Sequence, residues 1–308
     1  MMFKYIVKRI LIGFLTLMVL ATVVFVGMKA MPGSPFSRDN KAIPAATIEA
    51  LNKKYGLDKP ISEQFIIYMS NLFHGDLGDS ISKKGQPVTE IIASRMPVTA
   101  KLGLIAFAFS IIVGITFGIV SALTKHRWVN SAITVMATIG VSFPGFLLAM
   151  LMMVIFSVKL GWLPVVGLET AQSYIMPVLA LSFSPISSIT RLTRSSLRDV
   201  MSSDYITLAR SKGTKEIWVV IKHGLKNALL PVITYSGPMF AGMITGSLVI
   251  ETLFSIPGIG REFTNSIQNR DYTLCMGLTL LFGALVIIMT LVSDIVAAIV
   301  DPRIKVDK

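Results

Sequence analysis

The residues that could do chemistry in this chain are few and scattered. Its three histidines, His74, His126 and His223, fall in three different predicted loops, and Cys275 is the single cysteine, so no metal cluster is expected. The dipeptide Gly-Lys never occurs, which excludes the phosphate-binding loop that holds nucleotide phosphates. No nucleophile or carboxylate accompanies His223. We therefore expect no catalytic site, no metal and no cofactor in this chain.

The most informative pattern is a basic insert between strongly hydrophobic segments, residues 204–231. Gly213 divides it into two short amphipathic pieces, and the apolar run from Ile217 to Ile221 follows. An exposed apolar run is costly in water unless something covers it. The pattern thus predicts a helix–turn–helix element that docks on a partner protein. The alternatives are that the run packs against the chain's own helix ends and that Gly213 is an ordinary helix C-cap.

Three polar or helix-breaking residues at the end of this insert share a spacing of four. His223, Asn227 and Pro231 would lie on one face of a helix. This spacing predicts a buttress that passes movement of the insert into the next apolar segment. Capping and polar satisfaction at the membrane entry are an equally good interpretation.

The composition predicts an all-α polytopic membrane protein. Hydrophobic residues make up 53% of the chain, charged residues 15%, and the mean hydropathy is +0.70. A membrane helix needs roughly 20 apolar residues, and six uncharged stretches are long enough. The third can hold a kink at Pro144, and the fourth, with Pro185 and several serines, is the weakest. The six stretches are Ile10–Met28, Leu102–Thr124, Trp128–Val158, Thr170–Thr190, Asn227–Ile250 and Tyr272–Ser293.

The distribution of lysine and arginine predicts the orientation. Basic residues concentrate at 1–9, 125–127, 191–226 and after Asp301, whereas the short loops on the other side hold only Lys159, Arg261 and Arg270. Cytoplasmic loops carry the excess of basic residues, so both termini are expected in the cytoplasm. The net charge of +12 then reflects topology and the anionic inner leaflet, and no nucleic acid partner is expected. The predicted divisions are 1–30 (first helix), 31–97 (a small extracytoplasmic loop region), 98–302 (a five-helix membrane unit containing 204–231) and 303–308 (a cytoplasmic tail).

Ionisable residues inside the apolar stretches are scarce. Lys29, Lys101 and Asp294 come closest, and each lies near a helix end, where the charged group can reach the interface. Proton-coupled carriers need such groups within the membrane, so a pore driven by a separate ATPase fits better. The small-residue pairs Gly114/Gly118 and Gly242/Gly246 predict close helix contacts.

A set of short motifs follows one order along nearly the whole chain. The chain resembles the inner-membrane permease subunits of ABC importers in the oligopeptide, dipeptide and nickel family, and is most similar to the first-type (B) permease of an oligopeptide system. The motifs are Pro32–Phe36, Tyr55–Pro60, Gly75–Gly78, Pro87–Val88, Gly140–Phe146, Arg191–Leu197, Asp204–Tyr205, Ala209–Gly213, Lys222–Pro231, Glu251–Gly260, Asn269–Tyr272 and Asp301–Ile304.

The resemblance implies a type I ABC importer permease fold in a bacterial inner membrane. It implies a second homologous permease, two ABC ATPase subunits that bind the ATP and Mg²⁺, an extracytoplasmic peptide-binding protein and a peptide substrate. The chain itself would be a transport subunit and not an enzyme. Dipeptides and nickel or metallophore complexes remain alternative cargoes, and a self-sufficient secondary transporter is the alternative from another class.

The resemblance also assigns residues. The insert corresponds to a coupling loop in which Thr207-Leu208-Ala209 stands where a Glu-Ala-Ala triplet would fall, so the acidic residue is missing. The residues implied in ATPase coupling are Thr207, Ala209, Arg210, Lys212, Gly213, Trp218, His223 and Asn227. The pathway or gate candidates are Pro144, Tyr235, Pro238, Met239, Glu251, Pro257, Gly258, Arg270 and Asp271, of which the last five would form an outer gate, a seat for the binding protein or a rigid turn.

Overall fold

The computed structural model describes residues 2–30, 36, 44–83 and 85–300, and over these residues the chain is mainly helical. Residues 32–35 of the first motif, the motif that starts at Asp301 and the tail 303–308 lie outside the described residues. The helices are α1 (Met2–Ala30), α2 (Ala45–Lys54), α3 (Ile61–Phe73), α4 (Val88–Leu123), α5 (Arg127–Ser142), α6 (Gly145–Met152), α7 (Ile175–Met201), α8 (Asp204–Ser211), α9 (Glu216–Trp218), α10 (Lys226–Ala228), α11 (Leu230–Leu253), α12 (Ile259–Gln268) and α13 (Tyr272–Val300), with π-helical turns at Met153–Lys159 and Val219–Leu225 and a 3-10 turn at Ala171–Tyr174.

Five helices, α1, α4, α7, α11 and α13, are long and apolar enough to cross a membrane. The sixth predicted span is broken: α5 and the helical stretch after it meet at an angle of 102°. The bend lies at Pro144, where the sequence allowed a kink, and it is a complete break. Phe143 is extended (ψ 122°) because the residue before a proline is pushed out of the helical region, so the helix stops completely.

The broken pair still counts as one crossing. Thr134 of α5 accepts a hydrogen bond from Arg194 near the end of α7 (2.8 Å). At the far end of the pair, Ser157 contacts Met176 in the first turn of α7 (3.8 Å). The pair therefore accompanies α7 over most of its length, and the described residues cross the bilayer six times, as predicted.

Helices α4 and α7 lie side by side and run in the same direction. Ser182 of α7 donates to the Ala106 carbonyl of α4 (3.1 Å), and eight residues later in both helices Thr190 donates to the Gly114 carbonyl (3.3 Å). Parallel neighbours need a crossover between them, and the α5–α6 pair supplies it. The ends of α4 and α7 consequently lie at the same end of the bundle.

Small residues bring these two helices together. A Cβ on Gly114 would lie 2.7 Å from the Ile189 side chain, and one on Gly118 would lie 2.8 Å from the Thr193 side chain. Both distances are too short for a real contact, so the predicted Gly114/Gly118 interface is confirmed. Gly242 differs: a Cβ there would meet no described atom within 4 Å, so the described residues do not make the contact predicted for it.

Helix α4 begins earlier than the sequence suggested. The predicted span began at Leu102, whereas α4 begins at Val88 and continues through Pro97. Pro97 and Ala93, whose carbonyl the proline leaves without its helical donor, are both exposed. Val88 and Ile91 are fully buried in a cluster with residues of α13. Burial of Val88 and Ile91 on one face of α4 therefore keeps the chain helical through Pro97 on the exposed face.

Helix α7 ends later than the sequence suggested. The predicted span stopped at Thr190 because arginines follow, yet the helix continues to Met201. Arg194 donates to Thr134 of α5, and Arg198 reaches a carbonyl oxygen of α4 (3.4 Å). These guanidinium groups are bonded to neighbouring helices, so the charges do not end the helix.

Helices α11 and α13 run antiparallel in close contact. Pro238 has no N–H and leaves the Thr234 carbonyl without its usual partner, and the Ser293 hydroxyl of α13 donates to that oxygen (2.8 Å). A Cβ on Gly237 would lie 3.0 Å from the Met289 carbonyl carbon. The bend at Pro238 is therefore stabilised from the neighbouring helix.

Helix α1 packs antiparallel on α13. Asp294 accepts a hydrogen bond from Tyr5 (2.7 Å) and forms an ion pair with Arg9 (2.9 Å). Ser293 contacts the first turn of α11 through the carbonyl of Ile233 (3.0 Å), directly after α10. The start of α1 and the last turns of α13 thus lie at the end of the bundle that carries α8–α10.

Part of the predicted loop region 31–97 packs against the first span. Phe65 and Phe73 of α3 stack on Phe25 and Phe14 of α1, with ring centroids 5.2 and 6.2 Å apart. Helix α3 therefore runs antiparallel to α1, beginning beside the C-terminal end of α1 and ending beside the middle of α1.

Candidate functional site

A cavity of about 500 Å³ lies between α6, α7 and α11. Its lining is mainly apolar and contains no charged side chain. Three of the predicted pathway residues, Tyr235, Pro238 and Met239, line it. The full lining is Gly145, Phe146, Ala180, Leu181, Ser184, Pro185, Tyr235, Pro238, Met239, Gly242, Met243, Val249 and Ile250.

Prolines shape all three walls of this cavity. Pro144 breaks the chain directly before the lining residue Gly145, and Pro185 and Pro238 lie inside α7 and α11. A proline inside a helix removes one backbone hydrogen bond and bends it. Ser184 and Pro185 also line the cavity and were not predicted to do so, although a proline and serines made the fourth span the weakest in the sequence.

The basic insert forms two short helical arms at the end of α7. Gly213 joins them with φ +76°, a conformation that suits glycine because it has no Cβ. Its N–H donates to the Arg210 carbonyl (2.9 Å), and the Thr214 N–H donates to that of Ala209 (3.3 Å). Arg210 also pairs with Glu216 across the turn (2.7 Å). The helix–turn–helix predicted from the sequence is present.

The apolar residues of the insert divide into two sets. Ile206, Ala209 and Val219 are buried in one cluster with Val200 and Met201 at the end of α7. The second set, which we call the apolar face of the insert, remains between 42% and 60% exposed. It consists of Tyr205, Leu208, Ile217, Trp218 and Ile221.

The structure places the predicted coupling residues as follows. Thr207, Arg210, Lys212 and Gly213 are exposed at the end of α8 and in the turn, Trp218 is exposed at the end of α9, and Ala209 is buried beneath them. The hydrogen bond from the Arg210 guanidinium lowers the pKa of the Glu216 carboxyl from its ordinary value. Glu216 was not among the predicted residues.

His223, Asn227 and Pro231 lie in three successive helical segments and not in one regular α-helix. His223 lies in the π-helical turn, whose hydrogen bonds span five residues, and a break at Leu229 separates α10 from α11. Asn227 instead donates to the Tyr205 hydroxyl (2.9 Å). This bond ties the second arm of the insert back to the first.

Glu251 is fully buried at the other end of the bundle. Its carboxylate accepts hydrogen bonds from the hydroxyls of Thr99 (2.8 Å) and Ser247 (2.7 Å) and from the Arg261 N–H (3.1 Å). A Cβ on Gly258 would lie 2.6 Å from the carboxyl carbon of Glu251. Glu251 and Gly258 thus hold α4, α11 and the start of α12 together, and neither lines the cavity.

Asp271 is also fully buried. It accepts from the backbone of Ile81 (3.1 Å) and Ser82 (3.0 Å), from the hydroxyls of Ser80 and Ser82, and from the Leu274 N–H (3.1 Å) at the start of α13. It therefore fixes the loop before α4 to α13. Of the other two predicted gate residues, Arg270 has φ +52° in the turn before it, and Pro257 is exposed. Both lie outside the cavity lining.

Comparison with protein families gives two matches that together cover almost the whole chain. Residues 114–306 match the family described as binding-protein-dependent transport system inner membrane component, and residues 2–103 match its N-terminal companion. The chain belongs to this family. It is a transport subunit of an ABC importer and not an enzyme, and its helical fold is the one that this family implies.

Individual proteins support the family and the fold. The chain is 42% identical to the oligopeptide transport system permease protein OppB of Haemophilus influenzae, over 99% of this chain and 100% of that protein. It is 41% identical to the dipeptide transport system permease protein DppB of Lactococcus lactis, over the same shares. A solved inward-facing structure of the MetNI methionine ABC transporter covers 69% of this chain and 97% of its own, with a TM-score of 0.58 and 17% identity. That last likeness concerns the fold alone.

Proposed function

We propose that this chain is the permease subunit of an ATP-driven importer of oligopeptides. The observation that carries the proposal is the uncovered apolar face of the insert at the end of α7, the helix that also lines the cavity. Large apolar side chains in water mark a surface for a partner. The relatives named for oligopeptide and dipeptide transport supply the cargo class.

The partners follow from this arrangement. Two ABC ATPase subunits bind ATP and Mg²⁺ and receive the apolar face of the insert, while this chain holds no nucleotide. A second, homologous permease supplies the opposite wall of the cavity, and a peptide-binding protein delivers cargo at the end that carries Glu251 and Asp271. The chain lies in a bacterial inner membrane with both termini and residues 204–231 in the cytoplasm. ATP-driven closure of the ATPases then switches the cavity between outward-open and inward-open states.

The cavity lining favours peptides over nickel as the cargo. It contains no histidine, cysteine or carboxylate that would ligate a metal, and the described residues hold no cluster of such groups. An uncharged lining with two methionines, Met239 and Met243, adapts to side chains of different shape. A peptide permease needs this tolerance.

The decisive experiment compares two glycines of the same conformation. Gly213 and Gly161 both have positive φ, +76° and +65°, and a Cβ at either would meet nothing within 4 Å. A β-branched residue is strongly disfavoured there. In a deletion strain, Gly213→Val should lower uptake of a labelled tetrapeptide about tenfold, while Gly161→Val, at the opposite end of the bundle, should restore uptake.

The same strain tests the cargo. The deletion should abolish tetrapeptide uptake and confer resistance to toxic peptide analogues, while nickel accumulation stays normal. Loss of nickel uptake with normal peptide uptake would make the metal alternative correct. Equal uptake by both glycine variants, at equal protein levels in the membrane, would show that the insert does not couple transport to the ATPases.

A further inference from the structure

A second cavity, of about 400 Å³, lies at the end of the bundle opposite the insert and shares no lining residue with the first. Four separate segments enclose it: the end of α1, the stretch from the end of α2 to the middle of α3, the loop at 78–81 and the first turns of α13. Its lining is Phe25, Lys29, Lys53, Lys54, Tyr55, Gly56, Leu57, Lys59, Gln64, Ile67, Tyr68, Asn71, Gly78, Asp79, Ile81, Tyr272, Thr273 and Met276. A volume of this size is typical of small-molecule sites.

The polar part of this lining is strongly basic. Four lysines, Lys29, Lys53, Lys54 and Lys59, face one carboxylate, that of Asp79. The Lys29 ammonium bonds to Gln64 and lies 4.5 Å from the centre of the Tyr272 ring, and Lys59 pairs with Glu63 (2.7 Å). The cavity therefore holds an excess of positive charge. Basic residues next to spans are uncommon on the side away from the cytoplasm. An anionic ligand would neutralise the excess charge of this cluster.

The rest of the lining is apolar and continues onto an apolar surface. Phe25, Ile67 and Met276 line the cavity below the lysines. The adjoining faces of α1 and α3 leave Val23 62% and Ile66 66% exposed. A ligand with a negatively charged head and long hydrocarbon chains matches both parts, whereas a soluble anion or an acidic protein segment would leave the apolar surface uncovered.

We propose that this cavity binds the phosphate headgroup of an anionic glycerophospholipid. The lysine ammonium groups bond the phosphate oxygens, and the acyl chains lie along α1 and α3. Basic pockets between spans bind acidic headgroups on the cytoplasmic side of membranes, and the same charge attraction operates at this end of the bundle. The inference does not depend on which cargo the transporter carries.

Native mass spectrometry of the purified transporter complex, after incubation with phosphatidylglycerol or phosphatidylcholine, tests this directly. Wild type should retain phosphatidylglycerol and not phosphatidylcholine. Lys29→Gln with Lys54→Gln should lower retention by about fivefold for each charge removed. Lys159→Gln is the matched control, because Lys159 is exposed at the same end of the bundle and outside the cavity.

Two results would overturn the proposal. Equal phosphatidylglycerol retention by wild type and the double variant, with the complex intact by size-exclusion chromatography, would show that the cavity is not a lipid site. The proposal also fails if the double variant keeps the lipid but loses affinity for the purified peptide-binding protein, since the lysines would then serve a protein contact. Peptide uptake enters neither readout, so failure here is distinguishable from failure of the proposed transport function.

Discussion

The two ends of this molecule differ in how far their characteristic side chains are buried and bonded within the chain. At one end Glu251 and Asp271 are fully buried, and every bond they accept comes from this chain. At the other end, Trp218 and its apolar neighbours are about half exposed, and the insert is held by an exposed ion pair and a hydrogen bond from Asn227. The two buried carboxylates of the first end are therefore bonded within this chain. The apolar face of the insert at the second end is left for a partner to cover.

Removing a buried carboxylate at the first end should cause the largest effect, a loss of stability. Glu251→Ala leaves the Thr99 and Ser247 hydroxyls and the Arg261 N–H without their acceptor, and unpaired buried donors cost about 1–3 kcal/mol each before relaxation. We expect a loss of about 3 kcal/mol in the stability of the purified complex, measured by thermal unfolding. Thr252→Ala is the control, since Thr252 is exposed and bonds only within its own helix. An unchanged unfolding temperature in Glu251→Ala would contradict the idea that the hydrogen bonds to Glu251 stabilise this end of the molecule.

A smaller effect, and one on assembly alone, should follow from Trp218→Ala. Trp218 is 55% exposed in the apolar face of the insert, and loss of a buried aromatic at an interface costs about 2 kcal/mol or more. Affinity for the ATPase subunits should therefore fall about 30-fold, while the stability of this chain stays the same. Trp162, 66% exposed at the opposite end, provides the control. If Trp162→Ala weakens ATPase binding equally, the ATPase subunits do not bind specifically to the apolar face of the insert.

The smallest effect concerns the exposed pair of Arg210 and Glu216. Because the Glu216 pKa is lowered in the folded chain, the pair stabilises the turn above the ordinary pKa of a glutamate and stops doing so as the pH falls through the lowered value. A nitroxide at Lys215→Cys should become slightly more mobile in acid. Adding Glu216→Gln should make it equally mobile at neutral pH. A pH response that survives Glu216→Gln would assign the change to another group.

The sequence predicted much of the fold because long apolar stretches and the Gly114/Gly118 spacing are local signals. It placed the ends of two helices wrongly for one reason. Pro97 and Arg194 are helix-ending or loop residues by type, yet burial of Val88 in one case and the bond to Thr134 in the other keep the chain helical. Such compensation comes from distant residues and leaves no mark in the local pattern.

The sites divide in the same way. The turn at Gly213 and the lining residues Tyr235 and Pro238 followed from the sequence, since a glycine between amphipathic pieces and prolines in spans are local features. The partners of Glu251 and Asp271 did not, because Thr99 and Ser80 are separated from them by more than 150 residues. A carboxylate at the end of a span has the same sequence signature whether it faces solvent or a buried hydroxyl.

The close contact of α4 with α7 has a mechanical consequence. Helix α7 has 27 residues, so it is about 40 Å long, and the insert packs on one end of it against Val200 and Met201. Gly114 leaves no gap in which α4 could slide past α7, so the two helices tilt together. A tilt of about 10° about the insert would displace Ala180, which lines the cavity about 30 Å along the helix, by about 5 Å. A small tilt at the insert would therefore widen the cavity beside Ala180 enough to admit a side chain.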